Sequence, residues 1–312
     1  MNACPTSRLI SLAWLAFLLS LIFAAKTFAA DPTTQPAPIP DTYIAKVALT
    51  PHFYQRNPRW DLRTAGENYC VPTATSNALI YFAENGFPNL LPDPDDKELA
   101  QIELIRTLAS DQFMATNPNT GTSPSLFLFG LRKYVEKRGY KCARLEYAGW
   151  RRLRADQRST QVANEPDFNW LKAAIANPNG AAILEIGHYV HGKTPNEWKR
   201  ISGHAMLAIG YGTDGNQTNP NLFLVDNSAV EARVGIGPRV LSTIRQSRPL
   251  TLAEQSILFT RSGPMSVLPT PTAKPRDLPE SYQVTGPGMP SLQTHTYDAA
   301  FLDGAVVLII DK

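Results

Sequence analysis

Asn68-Tyr69-Cys70-Val71-Pro72-Thr73-Ala74 is the stretch on which the fold reading turns. It leads into Ala74–Glu84, where Ala74, Ala78, Leu79 and Phe82 recur at helical spacing. Thr73 is a capping type and Pro72 suits the first turn of a helix, so Cys70 is expected at or just before a helix N-terminus. Unpaired N–H groups and the helix dipole favour thiolate over thiol there, which would make Cys70 a nucleophile. A thiolate needs a proton carrier, most often a histidine steered by a third polar group. Of the five histidines, only His204 opens a strongly apolar strand, after Ser202-Gly203. One strand later, Leu222–Val225 delivers Asp226 and Asn227, either of which can orient an imidazole. Asp226 is the first choice for that third role and Asn227 its rival.

Outward from Cys70, helices are expected over Asp95–Ser110, Ser125–Arg138 and Phe168–Ala176, and strands over Lys141–Tyr147, Ala181–Ile186, His204–Ile209 and Leu222–Val225. Helices first and a sheet after them is the pattern of an α+β domain. The limits expected are 1–30 for an export signal, 31–48 for a proline-rich linker, 49–262 for the domain, and 263–312 for a proline-rich tail. That tail ends in one more strand, Ala305–Ile310, which docks at an unspecified place.

The segments carrying chemistry also carry a resemblance. Cys70 opening a helix, Gly121-Thr122-Ser123, Lys137-Arg138-Gly139-Tyr140, Ala181-Ala182-Ile183-Leu184, Ser202-Gly203-His204-Ala205 and Val225-Asp226 follow one another in the order of papain-like cysteine peptidases. The chain resembles most the bacteriocin-leader-processing branch and its secreted relatives. The resemblance spans about residues 49–262. It implies a papain-like fold with N-terminal helices packed on a C-terminal antiparallel sheet, and no cofactor. It also implies that Cys70 is the nucleophile, His204 the general base and Asp226 its orienting residue. Two departures stand out. Val71 replaces the glycine after the cysteine, and Thr64 occupies the place of the oxyanion-hole glutamine, six residues before the nucleophile. Asn68 is the nearest amide to supply that hydrogen bond. Gln55 is a more distant source, if Arg56–Glu67 loops out.

Other readings are bounded by composition and spacing. With 30 Lys+Arg against 27 Asp+Glu the chain is nearly neutral, which argues against nucleic acid as a partner. A peptide or protein is the expected substrate. Arg8, the apolar run Leu9–Ala25 and the small residues at 27–30 read as a secretory signal or an uncleaved anchor, placing the domain outside the cytoplasm with no other membrane contact. Cleavage would remove Cys4, leaving Cys70 and Cys142, for which a disulfide is the competing structural role. His188-x-x-His191 has a metal-like spacing but follows a strand and lacks helix formers, so no metal is expected, and His188 is placed at the mouth of the site. The alternative to an enzyme is a catalytically weak or inactive relative that binds peptides or cell-envelope components, to which Val71 and the missing glutamine point. Amidase- or transglutaminase-like chemistry on cell-wall peptides would use the same dyad.

Overall fold

In the computed structural model the described residues are 38–92, 96–191, 198–213, 218–229, 241–244 and 299–312. Ile39–Lys312 make one unit and Met1–Pro38 another. Residues 1–30, expected to be an export signal, residues 31–37 of the expected linker and the proline-rich stretch 264–290 lie outside the described residues.

Five α-helices occur among the described residues: α1 (Ala45–Leu49), α2 (Cys70–Glu84), α3 (Lys97–Ala109), α4 (Pro124–Lys137) and α5 (Phe168–Ala176). Their starts follow local chemistry. Asp96 accepts from the Glu98 and Leu99 N–H groups, Ser123 from Leu126 N ahead of Pro124, and Asp167 from Trp170 N. Helix α2 is different. It begins at Cys70 with Tyr69 as its uncapped N-cap, three residues before Thr73, which is buried and donates to Tyr69 O instead of capping. Val71–Phe82 is buried throughout, as befits a helix sunk between a sheet and other helices.

Seven strands form one sheet in the order β2-β1-β7-β3-β4-β5-β6. They are β1 (Lys141–Gly149), β2 (Gln161–Ala163), β3 (Gly180–His191), β4 (Trp198–Thr213), β5 (Thr218–Asp226), β6 (Leu241–Ile244) and β7 (Ala299–Asp311). β1 and β2 pair in parallel and every other neighbour antiparallel, so the sheet is mixed, not purely antiparallel. Alternation along the strands builds two cores. Ile183, Leu207, Leu224, Val306 and Leu308 pack with α2, α3 and α4. Leu184, Met206, Val225 and Val307 pack on the other face with Phe168, Leu171 and Ile175 of α5. Helices thus cover both faces of the sheet, and the expected order of helices first and sheet after is broken by α5, which follows β1 and β2 in the chain.

The terminal strand corrects the expected domain limit at 262. β7 stands inside the sheet between β1 and β3, pairing Val306 with Tyr147 and with Ile183. A run of apolar residues with both faces covered is what an interior strand requires. Residues 299–312 are therefore part of the domain.

This position has a measurable consequence. A chain ended at residue 298 is expected to lose cooperative urea unfolding, and Leu308→Ala to cost roughly 2–5 kcal/mol. A truncated chain that unfolds with the midpoint of the full one would show that β7 is dispensable.

Candidate active site

The chain between α1 and α2 forms the approach to Cys70. Trp60, Leu62 and Tyr69 pack with Ile102, Ile105 and Ala109 of α3, and Arg106 Nη2 donates to Trp60 O at 2.6 Å. Thr64 and Ala65 hold left-handed backbone (φ 51° and 49°) that L-residues adopt at a cost. A second loop braces them: Thr64 Oγ1 and Asn68 Nδ2 both donate to Pro118 O, at 3.1 and 2.6 Å.

Residues 56–67 do loop out, and the loop brings Gln55 back to the cysteine. Gln55 is buried, and its backbone N–H donates to Ser228 O at 2.8 Å. Its Oε1 accepts from Ser228 Oγ at 2.9 Å, while Nε2 donates to Gly66 O and Glu67 O at 3.0 and 3.2 Å. The carboxamide is thereby fixed in orientation beside the segment that ends in Cys70.

Backbone N–H groups of Ala205, Val71 and Cys70 itself favour the Cys70 thiolate. Ala205 follows His204 directly, and Cys70 and His204 line the same cleft. Val71 turns its side chain into the core and is 4% exposed, leaving only its N–H at the sulfur. Cys70 and Cys142 are both free thiols.

The side chain that meets His204 is that of Asn227. His204 Nε2 lies 2.8 Å from Asn227 Oδ1, and Ala229 N also donates to that oxygen at 3.1 Å. An atom facing a backbone N–H must be the carbonyl oxygen of the amide, so Nε2 of His204 carries the proton and Nδ1 is left basic. Asp226, expected in this role, is turned elsewhere. Its two oxygens meet His52 Nδ1 and Asn77 Nδ2, both at 2.5 Å. The correction has a simple cause: consecutive side chains diverge at a strand end, and Asp226 takes the direction of Leu224, toward α2. Asn77 extends that network through Gln101 to Ser76. No sequence signal singled out His52, which stands 174 residues from its carboxylate in the chain.

Cys70, His204, Gln55 and Asn68 line a cleft of about 280 Å³, shared with His188 and the charged residues Arg56, Glu67, Arg151, Glu185 and Arg200. His188 lies within β3, its Nδ1 2.9 Å from Ser202 Oγ. Among the described residues no group of three His, Cys, Asp or Glu is placed to hold a metal ion.

Electrostatics alter the expected ion pair. Burial pushes the Cys70 thiol up, against the pull of the three N–H groups, and Glu185 adds to the rise. Burial also drives the His204 imidazole down to about 4, despite the hydrogen bond to Asn227, with His188 and Arg56 adding repulsion. At neutral pH the resting pair is thus thiol and imidazole, not thiolate and imidazolium. The N-terminal position of the cysteine is real, but desolvation outweighs it.

No family model matches the chain, nor does any curated protein or any solved structure.

His188 is likewise lowered to about 4, chiefly by burial and then by Arg200. In the unfolded chain both histidines titrate near 6.5, so the unfolded state holds more protons between about pH 6.5 and 4. Their contribution to stability is complete above about 6.5 and is lost as the pH falls through about 4. The urea midpoint should decline over that window, and His188→Gln should make the decline shallower. A variant with the slope of the parent would place His188 outside this linkage.

Proposed function

We propose that this chain is an exported thiol hydrolase of papain-like fold that cleaves peptide or amide bonds through Cys70, His204 and Asn227. The observation that carries the reading is the fixed tautomer of His204. Asn227 and Ala229 hold the proton on Nε2, and the ring with its basic Nδ1 lines the same cleft as Cys70. A histidine whose second nitrogen is tied to a carboxamide, next to a cysteine opening a helix, is the arrangement a thiol nucleophile uses.

Because the resting pair is neutral, proton transfer accompanies attack. The Cys70 sulfur bonds to the scissile carbonyl carbon as its proton passes to His204 Nδ1. The oxyanion formed meets the Cys70 backbone N–H and one carboxamide. His204 then gives its proton to the departing amine, leaving a thioester on Cys70. Water, deprotonated by His204, attacks the thioester, releases the acid and restores the thiol. Between the two carboxamides in the cleft, Gln55 is the better donor, since Ser228 fixes its orientation while Asn68 is spent bracing the 118 loop. Donation to an oxyanion requires Gln55 to give up the Gly66 or Glu67 carbonyl.

Two other facts support a second reading, a peptide-binding domain without turnover: a raised thiol, and both carboxamides occupied by carbonyls. A panel of fluorogenic peptide amides separates the two. Hydrolysis that Cys70→Ala abolishes, that Asn227→Ala lowers about 10²-fold in kcat, and that Asp226→Asn leaves within about tenfold is expected of the enzyme. Gln55→Ala should cost about 10²–10³ in kcat and Asn68→Ala less than about tenfold. Peptides that bind the folded protein but are never cut would establish the binding domain instead.

A further inference from the structure

The floor of the cleft contains a carboxylate for which the catalytic reading has no use. Glu185 lies on β3, paired across the sheet with Ala205 of β4 on one side and Gly304 of β7 on the other. It is only 3% exposed, and neither carboxylate oxygen has a hydrogen-bond partner among the described residues. Arg151 Nη1 stands 3.7 Å from Oε2, too far for a hydrogen bond. The other nearby cation is engaged: Arg200 Nε donates to the fully buried Asp303 at 2.7 Å, which also accepts from Tyr189 OH at 3.0 Å.

The backbone is built to admit these groups. A Cβ at Gly304 would come within 2.9 Å of Glu185 Oε2 and of Tyr147 OH, and one at Gly187 would collide with Asp303. Asp303 itself is the extra residue of a bulge, since Glu185 pairs with Gly304 and Ile186 with Leu302. A carboxylate buried on such terms costs free energy unless something pairs with it. Burial does push the Glu185 carboxyl up, and Arg151 draws it only part of the way back.

We propose that Glu185 is the recognition group of a substrate subsite beside Cys70 that takes a cationic group, a guanidinium or primary ammonium, from the peptide. A donor of this kind would satisfy the two bare oxygens, and Ala205 places the subsite one residue from the general base. The proposal rests on the cleft being a peptide site, yet the charge preference can be read without turnover.

The test uses Cys70 as its own reporter. Methanethiosulfonates transfer a thioalkyl group to the sulfur and release methanesulfinate, so reagents of matched size and different charge compare the surroundings of one atom. In a Cys4→Ser, Cys142→Ser background, the aminoethyl reagent should modify Cys70 about tenfold faster than the sulfonatoethyl reagent after correction for their rates on a free thiol. Glu185→Gln should reduce that ratio to about twofold or less, while Glu67→Gln leaves it in place. In the unaltered chain, n-butylguanidine should slow the modification and uncharged butylurea should not, which keeps the test decisive if the Glu185 variant does not fold. A ratio near one, a preference for the anionic reagent, or equal protection by both small molecules would overturn the proposal. Cation preference without hydrolysis of any peptide would count against the peptidase reading alone. Hydrolysis indifferent to substrate charge would do the reverse.

Discussion

Everything in the cleft depends on how the chain leaves β5. Asp226 and Asn227 are consecutive, and their side chains part company. The carboxylate goes to His52 and Asn77, the amide to His204. The first direction locks the strand end to α2, the helix whose N-terminus carries the cysteine. The second fixes which nitrogen of His204 holds a proton. One dipeptide therefore both ties α2 to the sheet and sets the tautomer of His204. Ser228 continues the same turn and clamps Gln55, so three successive residues hold α2, His204 and Gln55 in place.

Burial makes this arrangement costly. The cleft holds a thiol pushed up, two imidazoles pushed down to about 4 and a carboxyl pushed up, all mainly by desolvation. Such opposed displacements in one cavity are a feature of functional sites, where charge is to be generated on demand rather than stored. The resting state is neutral at Cys70 and His204. Local charge is kept in the pairs Arg200–Asp303 and Arg151–Glu185, the first tight and the second loose. The looseness of the second is what leaves room for a ligand cation.

Much of the architecture was legible in the chain. The apolar spacing of Phe168–Ala176 gives the bounds of α5, and the alternating runs around Ile183, Leu207 and Leu224 lie within their strands. Cys70 was found by local chemistry, as a cysteine opening a helix, whereas His204, expected to open its strand, stands inside β4, which begins six residues earlier at Trp198. What stayed hidden depends on contacts distant in sequence. Nothing local shows that 299–312 enters the sheet between β1 and β3, because an apolar run of that length fits an edge or an interior equally well. The choice between Asp226 and Asn227 turns on the pleat at a strand end and on His52, far away in the chain. Gln55 was recognisable only on the condition that 56–67 forms a loop. Glu185, lying inside an apolar run, gave no signal of its own.

The central claim is that Asn227 holds His204 as the neutral Nε2–H tautomer beside the Cys70 thiol, and nitrogen NMR of histidine-labelled protein reads it directly. At pH 7 the His204 ring should show a protonated Nε2 and a bare Nδ1, remain so until the pH approaches about 4, and lose this form in Asn227→Ala. An imidazolium at pH 7, a proton on Nδ1, or a spectrum that responds to Asp226→Asn and not to Asn227→Ala would contradict it.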